Sequence, residues 1–125
     1  MRIFKNKWFV RFARKEGISD VKLREAVNAA EGGKIDADYG GGVIKQRIAR
    51  PNEGKSSGYR TIILYRKEDK AFFVYGFAKK DQDNITAEEA RAFKDLCGVV
   101  FQHTNERLGK LVKEGVYQEV KNENE

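Results

Sequence analysis

Lys45, Arg47, Arg60 and Lys79 are the residues whose chemical type and spacing point to a reaction. Lys45 and Arg47 stand two apart in "VIKQRIA", so an extended strand sends both side chains to the same face. Arg60 opens the next apolar run, "YRTIILYR", Lys79 follows a third, "AFFVYGFA", and Lys55 lies in the loop between the first two. Folded as a meander, these segments carry cations from separate strands onto one surface, with no acidic partner expected beside them. Like charges gathered this way oppose folding unless an anion fills the space between them. Phosphate is the expected anion.

Cleavage of RNA by its own 2′-hydroxyl would suit such a cluster. That reaction needs a group to take the hydroxyl proton, charge to stabilise a phosphorane-like transition state, and a group to protonate the leaving 5′-oxygen. Arginine supplies the charge, and a lysine crowded by other cations could carry a proton, because crowding favours its neutral form. His103 is the sole histidine, which excludes a mechanism built on a histidine pair. Glu53, Asp81 and Asp83 are spaced like solvated loop residues, not like a base or a set of magnesium ligands. "GKSSG", Gly54 to Gly58, lacks the G-x-x-x-x-G-K-[ST] pattern and precedes a strand instead of a helix, so it is read as a flexible hairpin loop. Lys55 in that loop, Arg50, Lys80 and Tyr59 are the expected RNA-binding residues. Tyr65, Phe73, Tyr75 and Phe77 are also close by, mostly as core, with some free to stack on bases. Lys67 and Lys70 flank a turn beside Glu68 and Asp69 and are read as a solvated strand rim.

The elements that must position these residues are legible in the apolar pattern. "RIFK" predicts a short first strand. Trp8, Phe9, Phe12 and Ala13 then recur as on the buried face of a helix. Ser19 caps a second helix whose apolar face is Val21, Leu23, Ala26, Val27 and Ala30, ended by Gly32 and Gly33. "KIDADYGGG" is expected to reverse the chain, and three strands follow over Val43 to Ala49, Tyr59 to Arg66 and Ala71 to Ala78, the last two joined as a hairpin. Apolar residues on both parities of the third run predict a central strand covered on both faces. Thr86 caps a further helix with the stripe Ala90, Phe93, Leu96, Cys97 and Val100, Thr104 to Glu114 forms another, and "VYQEV" is a candidate last strand. The fold class is therefore α+β, with an N-terminal helical hairpin on a curved antiparallel sheet and helices after it. Residues 1–120 form one domain, and residues 121–125 are a charged tail expected to be disordered.

The whole chain bounds these readings. At 125 residues and 40% apolar it suits one core. Charges interrupt every apolar run well before the ~18 residues of a membrane span, and the N-terminus has no cleavable-leader pattern, so a cytoplasmic location without membrane partners is expected. One cysteine and one histidine exclude an internal disulfide and a Cys/His zinc site. Cys97 is read as buried and His103 as an exposed helix-end residue. No cofactor and no metal are expected. The net charge of +6 is concentrated: residues 43–80 carry +7, against +3 before them and −4 after.

The order of elements, together with "GGGVIKQRIARPNEGKSSGYRTIILYR" and "AFFVYGFAKKDQDNI", resembles the RelE/ParE superfamily of toxins, in particular the RelE and HigB-like toxins of type II toxin-antitoxin systems. The resemblance extends from Arg2 to about Val120. It implies an mRNA interferase that enters the ribosomal A site and cuts the codon there by metal-independent 2′-hydroxyl attack. A cognate antitoxin, of helix-turn-helix or other DNA-binding type, would hold it silent, so ribosome, mRNA and antitoxin are the implied partners. Carried over by position, Arg60 in "GYR" matches the arginine assigned to the scissile phosphate. Lys79 matches the basic residue closing the following strand, and Lys45 and Arg47 lie on the strand that supplies basic residues in relatives. The catalytic tyrosine found late in some relatives has no secure counterpart, Tyr75 and Tyr117 both being poorly placed. Two other readings stand beside this one: a gyrase-inhibiting toxin of ParE type, and a non-catalytic nucleic-acid-binding module.

Overall fold

Apolar alternation gives this chain its sheet, and local hydrogen-bond chemistry starts and stops its helices. A computed structural model describes residues 1–50 and 58–121. Strand β1 (Arg2–Asn6) runs directly into α1 (Lys7–Glu16), because the Asn6 side chain accepts from the Phe9 N–H and so caps the helix. Gly17, at φ 71°, ends it. Ser19 caps α2 (Asp20–Glu31) as expected, accepting from the Lys22 N–H.

The strands that follow are β2 (Ala37–Gly40), β3 (Val43–Ile48), β4 (Tyr59–Arg66) and β5 (Lys70–Ala78). Then come α3 (Ala87–Val100), α4 (Asn105–Lys113) and β6 (Tyr117–Glu119). Thr86 and Glu89 form a reciprocal capping box at the start of α3. One six-stranded sheet has the order β2-β3-β4-β5-β1-β6. Its class is the expected α+β, with two corrections. The sheet is mixed, since β1 runs parallel to β5. And "KIDADYGGG" contains a strand of its own: β2 pairs with β3 through a turn in which Gly40, Gly41 and Gly42 all have positive φ. Gly42 also permits a close approach, because a Cβ there would lie 2.7 Å from the Cys97 sulfur.

Two cores lie on opposite faces of the sheet. Phe9, Leu23 and Val27 of the helical hairpin pack with Ile3, Ile44, Ile63 and Phe73 on one face. On the other, Ala90, Cys97 and Leu108 of α3 and α4 pack with Phe4, Val43, Leu64 and Phe72. Burial pushes the Cys97 thiol up, against a lowering by Arg66. A bulge opposite Ile62 and Ile63 breaks the simple parity of β5. Phe73 faces the hairpin, whereas Val74, Tyr75 and Phe77 all join the α3 side. Three further expectations are corrected: Trp8 is 38%, Leu96 39% and Val21 54% exposed, so each lies at the margin of its helix's buried stripe. His103 is half-buried, just past α3. No helix among the described residues is long and apolar enough to cross a membrane.

Candidate nucleic-acid interface

The pairing of β3 with β4 sets Arg47 opposite Arg60 and Lys45 opposite Ile62. Residues opposed in an antiparallel pair point to the same face, so two arginines from neighbouring strands stand side by side there. In β5 the cross-strand partner of Arg60 is Phe77 and that of Ile62 is Tyr75. The α3 face of the sheet at this end therefore presents a cationic group on β3 and β4 beside an aromatic one on β5. Tyr75 extends the aromatic group sideways: its ring lies 4.7 Å from Trp8 and 6.1 Å from Phe93.

The cations converge on one carboxylate. Asp36 Oδ1 accepts from Arg47 Nε at 2.7 Å, and Asp36 Oδ2 lies 3.7 Å from Lys45 Nζ and 3.9 Å from Arg60 Nε. The expectation that no acidic partner stands near these cations is thus overturned. Asp36 was missed because it precedes β2 in a stretch read as a turn. The alternation Ile35, Asp36, Ala37, Asp38, Tyr39 was the available signal. Gln46 fixes the Asp36 backbone in place. Its Oε1 accepts from the Asp36 N–H at 2.9 Å, while its Nε2 donates to the carbonyls of Ala26 and Lys34, each at 2.9 Å.

Burial grades across the cluster. Arg47 is exposed, Lys45 is half-buried and Arg60 is only 4% exposed. Arg60, although it stands at the start of its strand, is therefore buried and not exposed. Burial pushes its guanidinium pKa down and Arg47 does so further, against an opposing pull from Asp36. Arginine stays charged regardless at neutral pH. A cleft of about 290 Å³ opens between α2 and β3 and reaches the same Asp36–Arg47 pair, with Ala26, Ala29, Ile35 and Ile48 in its walls.

Beside the cluster the segment after β5 is tied down by side chains. Tyr75 donates to Gln82 Oε1 at 3.3 Å, Gln82 Nε2 donates to the Asn84 carbonyl at 2.9 Å, and Tyr39 donates to Asn84 Oδ1. Burial, and after it the charge of Asp36, pushes the Tyr39 phenol up, so it stays a neutral donor at physiological pH.

A family model described as "RelE toxin of RelE / RelB toxin-antitoxin system" matches residues 1–120. The chain belongs to the RelE toxin family. No curated protein and no solved structure matches it. As a RelE family member it is a toxin of a toxin-antitoxin system, and that membership implies a cognate antitoxin of the RelB type.

Among the other residues expected at the site of this RelE family toxin, Lys79 and Lys80 are exposed in the turn that follows β5. The Lys79 N–H donates to the Gly58 carbonyl at 3.1 Å, which carries Lys79 to the same end of β4 as Arg60. Among the described residues no hydrogen bond or ion pair links either lysine to Asp36. Tyr59 is corrected: it is 3% exposed and lies in the core on the hairpin side, the face opposite Arg60. Strand alternation dictates this, since adjacent residues point apart. Arg50 follows Tyr59, lying 5.2 Å over its ring and donating to its hydroxyl at 3.3 Å. Lys55 lies outside the described residues.

Proposed function

We propose that this RelE family toxin is a ribosome-dependent endoribonuclease that cleaves mRNA in the A site through attack of the 2′-hydroxyl, without a metal ion. The observation that carries the reading is the convergence of Lys45, Arg47 and Arg60, from two paired strands, around the single carboxylate of Asp36. Arginine suits a phosphodiester because its planar fork of N–H donors matches two phosphate oxygens. Arg47, exposed, meets the incoming backbone first, and Arg60 stands behind it to stabilise charge as the transition state forms. Lys45 and Lys79 are the candidates to carry protons to and from the ribose and the leaving oxygen. A cluster of cations repels a divalent ion, which supports chemistry done by side chains alone. Tyr75, and Trp8 beside it, offer rings on which a neighbouring base can stack.

Purified protein added to ribosomes programmed with a defined message is expected to cut the A-site codon and to leave a 2′,3′-cyclic phosphate on the upstream fragment, the product of 2′-hydroxyl attack. Naked mRNA of the same sequence is expected to survive. Accumulation of gyrase-linked DNA breaks in place of mRNA fragments would support the gyrase-inhibiting alternative. Retention of RNA with no scission at all would support the binding-module alternative.

A further inference from the structure

An anion built into a phosphate site presents a contradiction, because it repels the ligand that the surrounding cations attract. Asp36 occupies that position, with Arg47 on one oxygen and Lys45 and Arg60 facing the other. We propose that Asp36 is a positioning residue: it holds the three cations in the spacing a phosphodiester needs and surrenders them in part when RNA arrives. The proposal rests on the endoribonuclease reading and gives that site a further component.

Three observations lead here. The backbone of Asp36 is anchored by the buried Gln46 amide, which ties it to α2 and to the chain entering β2, so the root of this side chain is placed independently of the cations it serves. Its grip on them is uneven: Arg47 is hydrogen-bonded at 2.7 Å, whereas Lys45 at 3.7 Å and Arg60 at 3.9 Å are paired by charge alone. Contacts of the second kind are readily exchanged for a phosphate oxygen. Arg47 is held through Nε, and its remaining N–H donors are not taken up by this bond. Without the acid, Arg47 and Arg60, opposed across paired strands, would repel each other and splay apart. Both Asp36 oxygens are directed at cations, which is the geometry of an anchor rather than of a proton acceptor aimed at ribose.

The test separates binding from turnover with Asp36→Asn, which keeps shape and the backbone bond to Gln46 while removing the charge. Affinity is measured on ribosomes carrying a message 2′-O-methylated in the A-site codon, and turnover on the unmodified message. Asp36→Asn is expected to bind as tightly as the native chain or more so, while kcat falls about 10- to 100-fold and its pH profile keeps its shape. A kcat within about threefold of native, or a loss of affinity that matches the loss of rate, would overturn the proposal; the first would mean the acid is dispensable and the second that it is merely structural. Disappearance of the acidic limb of the profile would overturn it as well, by making Asp36 the base. In the free protein, the Arg47 Nε–H resonance is expected to carry the downfield shift of a charge-assisted hydrogen bond and to lose it in Asp36→Asn; an unchanged resonance would refute the anchoring. This last readout stands whether or not the native chain cuts RNA, so failure of the endoribonuclease reading is recognised separately.

Discussion

Two arginines in register across β3 and β4 differ sharply in what their removal should do. Arg47 is exposed and its ion pair with Asp36 is open to water, so Arg47→Ala is expected to change stability by about 1 kcal/mol or less. Arg60 is buried, donates to the Tyr59 carbonyl at 3.4 Å and faces Asp36. Arg60→Ala strips partners from groups out of reach of solvent and is expected to destabilise by about 1–3 kcal/mol. Both variants should lose cleavage on programmed ribosomes. Urea titrations beside that assay check the pair, and equal stabilities for the two would contradict the burial difference. At this scale the sequence was informative about cations and poor about their partner. The two-residue spacing of Lys45 and Arg47 placed them on one face, and the apolar run after Arg60 placed it on a neighbouring strand. Asp36 escaped because the short alternation around it runs into three glycines and was read as a turn, and Tyr59 was misjudged because its neighbour's role was extended to it despite the alternation of the strand.

Elements locate these residues through a few backbone positions that tolerate no side chain. A Cβ on Gly58 would lie 2.2 Å from the Ile48 carbonyl oxygen and 2.9 Å from the Arg50 nitrogen, both backbone atoms of the neighbouring strand end. Gly58→Ala must push β3 and β4 apart next to the Tyr59–Ile48 pair, and is expected to destabilise by about 1–3 kcal/mol while disturbing the Arg47–Arg60 register. Gly98 in α3 and Gly109 in α4 provide the contrast. Both are exposed on helices with nothing within 4 Å of an added Cβ, so Gly98→Ala and Gly109→Ala are each expected to stabilise by up to about 1 kcal/mol. Thermal melts of the three variants test both directions, and a melting temperature for Gly58→Ala at or above that of the native chain would refute the packing argument. Helices were the most legible elements, because Ser19, Thr86 and Thr104 announce their caps. The bulge in β5 was not legible, since the extra residue leaves an apolar run that looks unbroken.

Over the whole molecule, the late residues are stapled to the early ones by an ion pair and by hydrogen bonds to backbone. Arg2 donates twice to the Glu119 carboxylate at 2.9 Å, and Lys5 donates to Asp20 at 2.8 Å. Asp20 also accepts from the Lys121 N–H, and Arg24 donates to the carbonyls of Val120 and Lys121. The hydrogen bonds from Arg2 hold the Glu119 carboxyl below its ordinary value of 4.5, against the effect of burial. For Asp20, burial pushes the pKa up, but the bonds from Lys5 and the Lys121 N–H outweigh it and bring the group below 3.8. A carboxylate whose pKa is lower in the folded state binds fewer protons there than in the unfolded chain. Its stabilisation is therefore complete above those ordinary values and erodes as pH falls past them toward the folded pKa. The urea midpoint is expected to be flat above about pH 5 and to drop below it, with Glu119→Gln removing part of that drop. A variant that loses stability in acid as steeply as the native chain would refute Glu119's share. These long-range staples, like the parallel pairing of β1 with β5, join segments too far apart for a local pattern to reveal.

The placement of β1 makes the sheet depend on segments far apart in the chain. β1, built from residues 2–6, sits between β5 and β6, and β6 is made from residues 117–119. A chain folded only as far as β4 exposes Ile3 and Phe4 with nothing to receive them, and the Arg2–Glu119 clasp closes only once β6 is in place. The sheet is thereby completed late in folding, once two segments 117 positions apart have met.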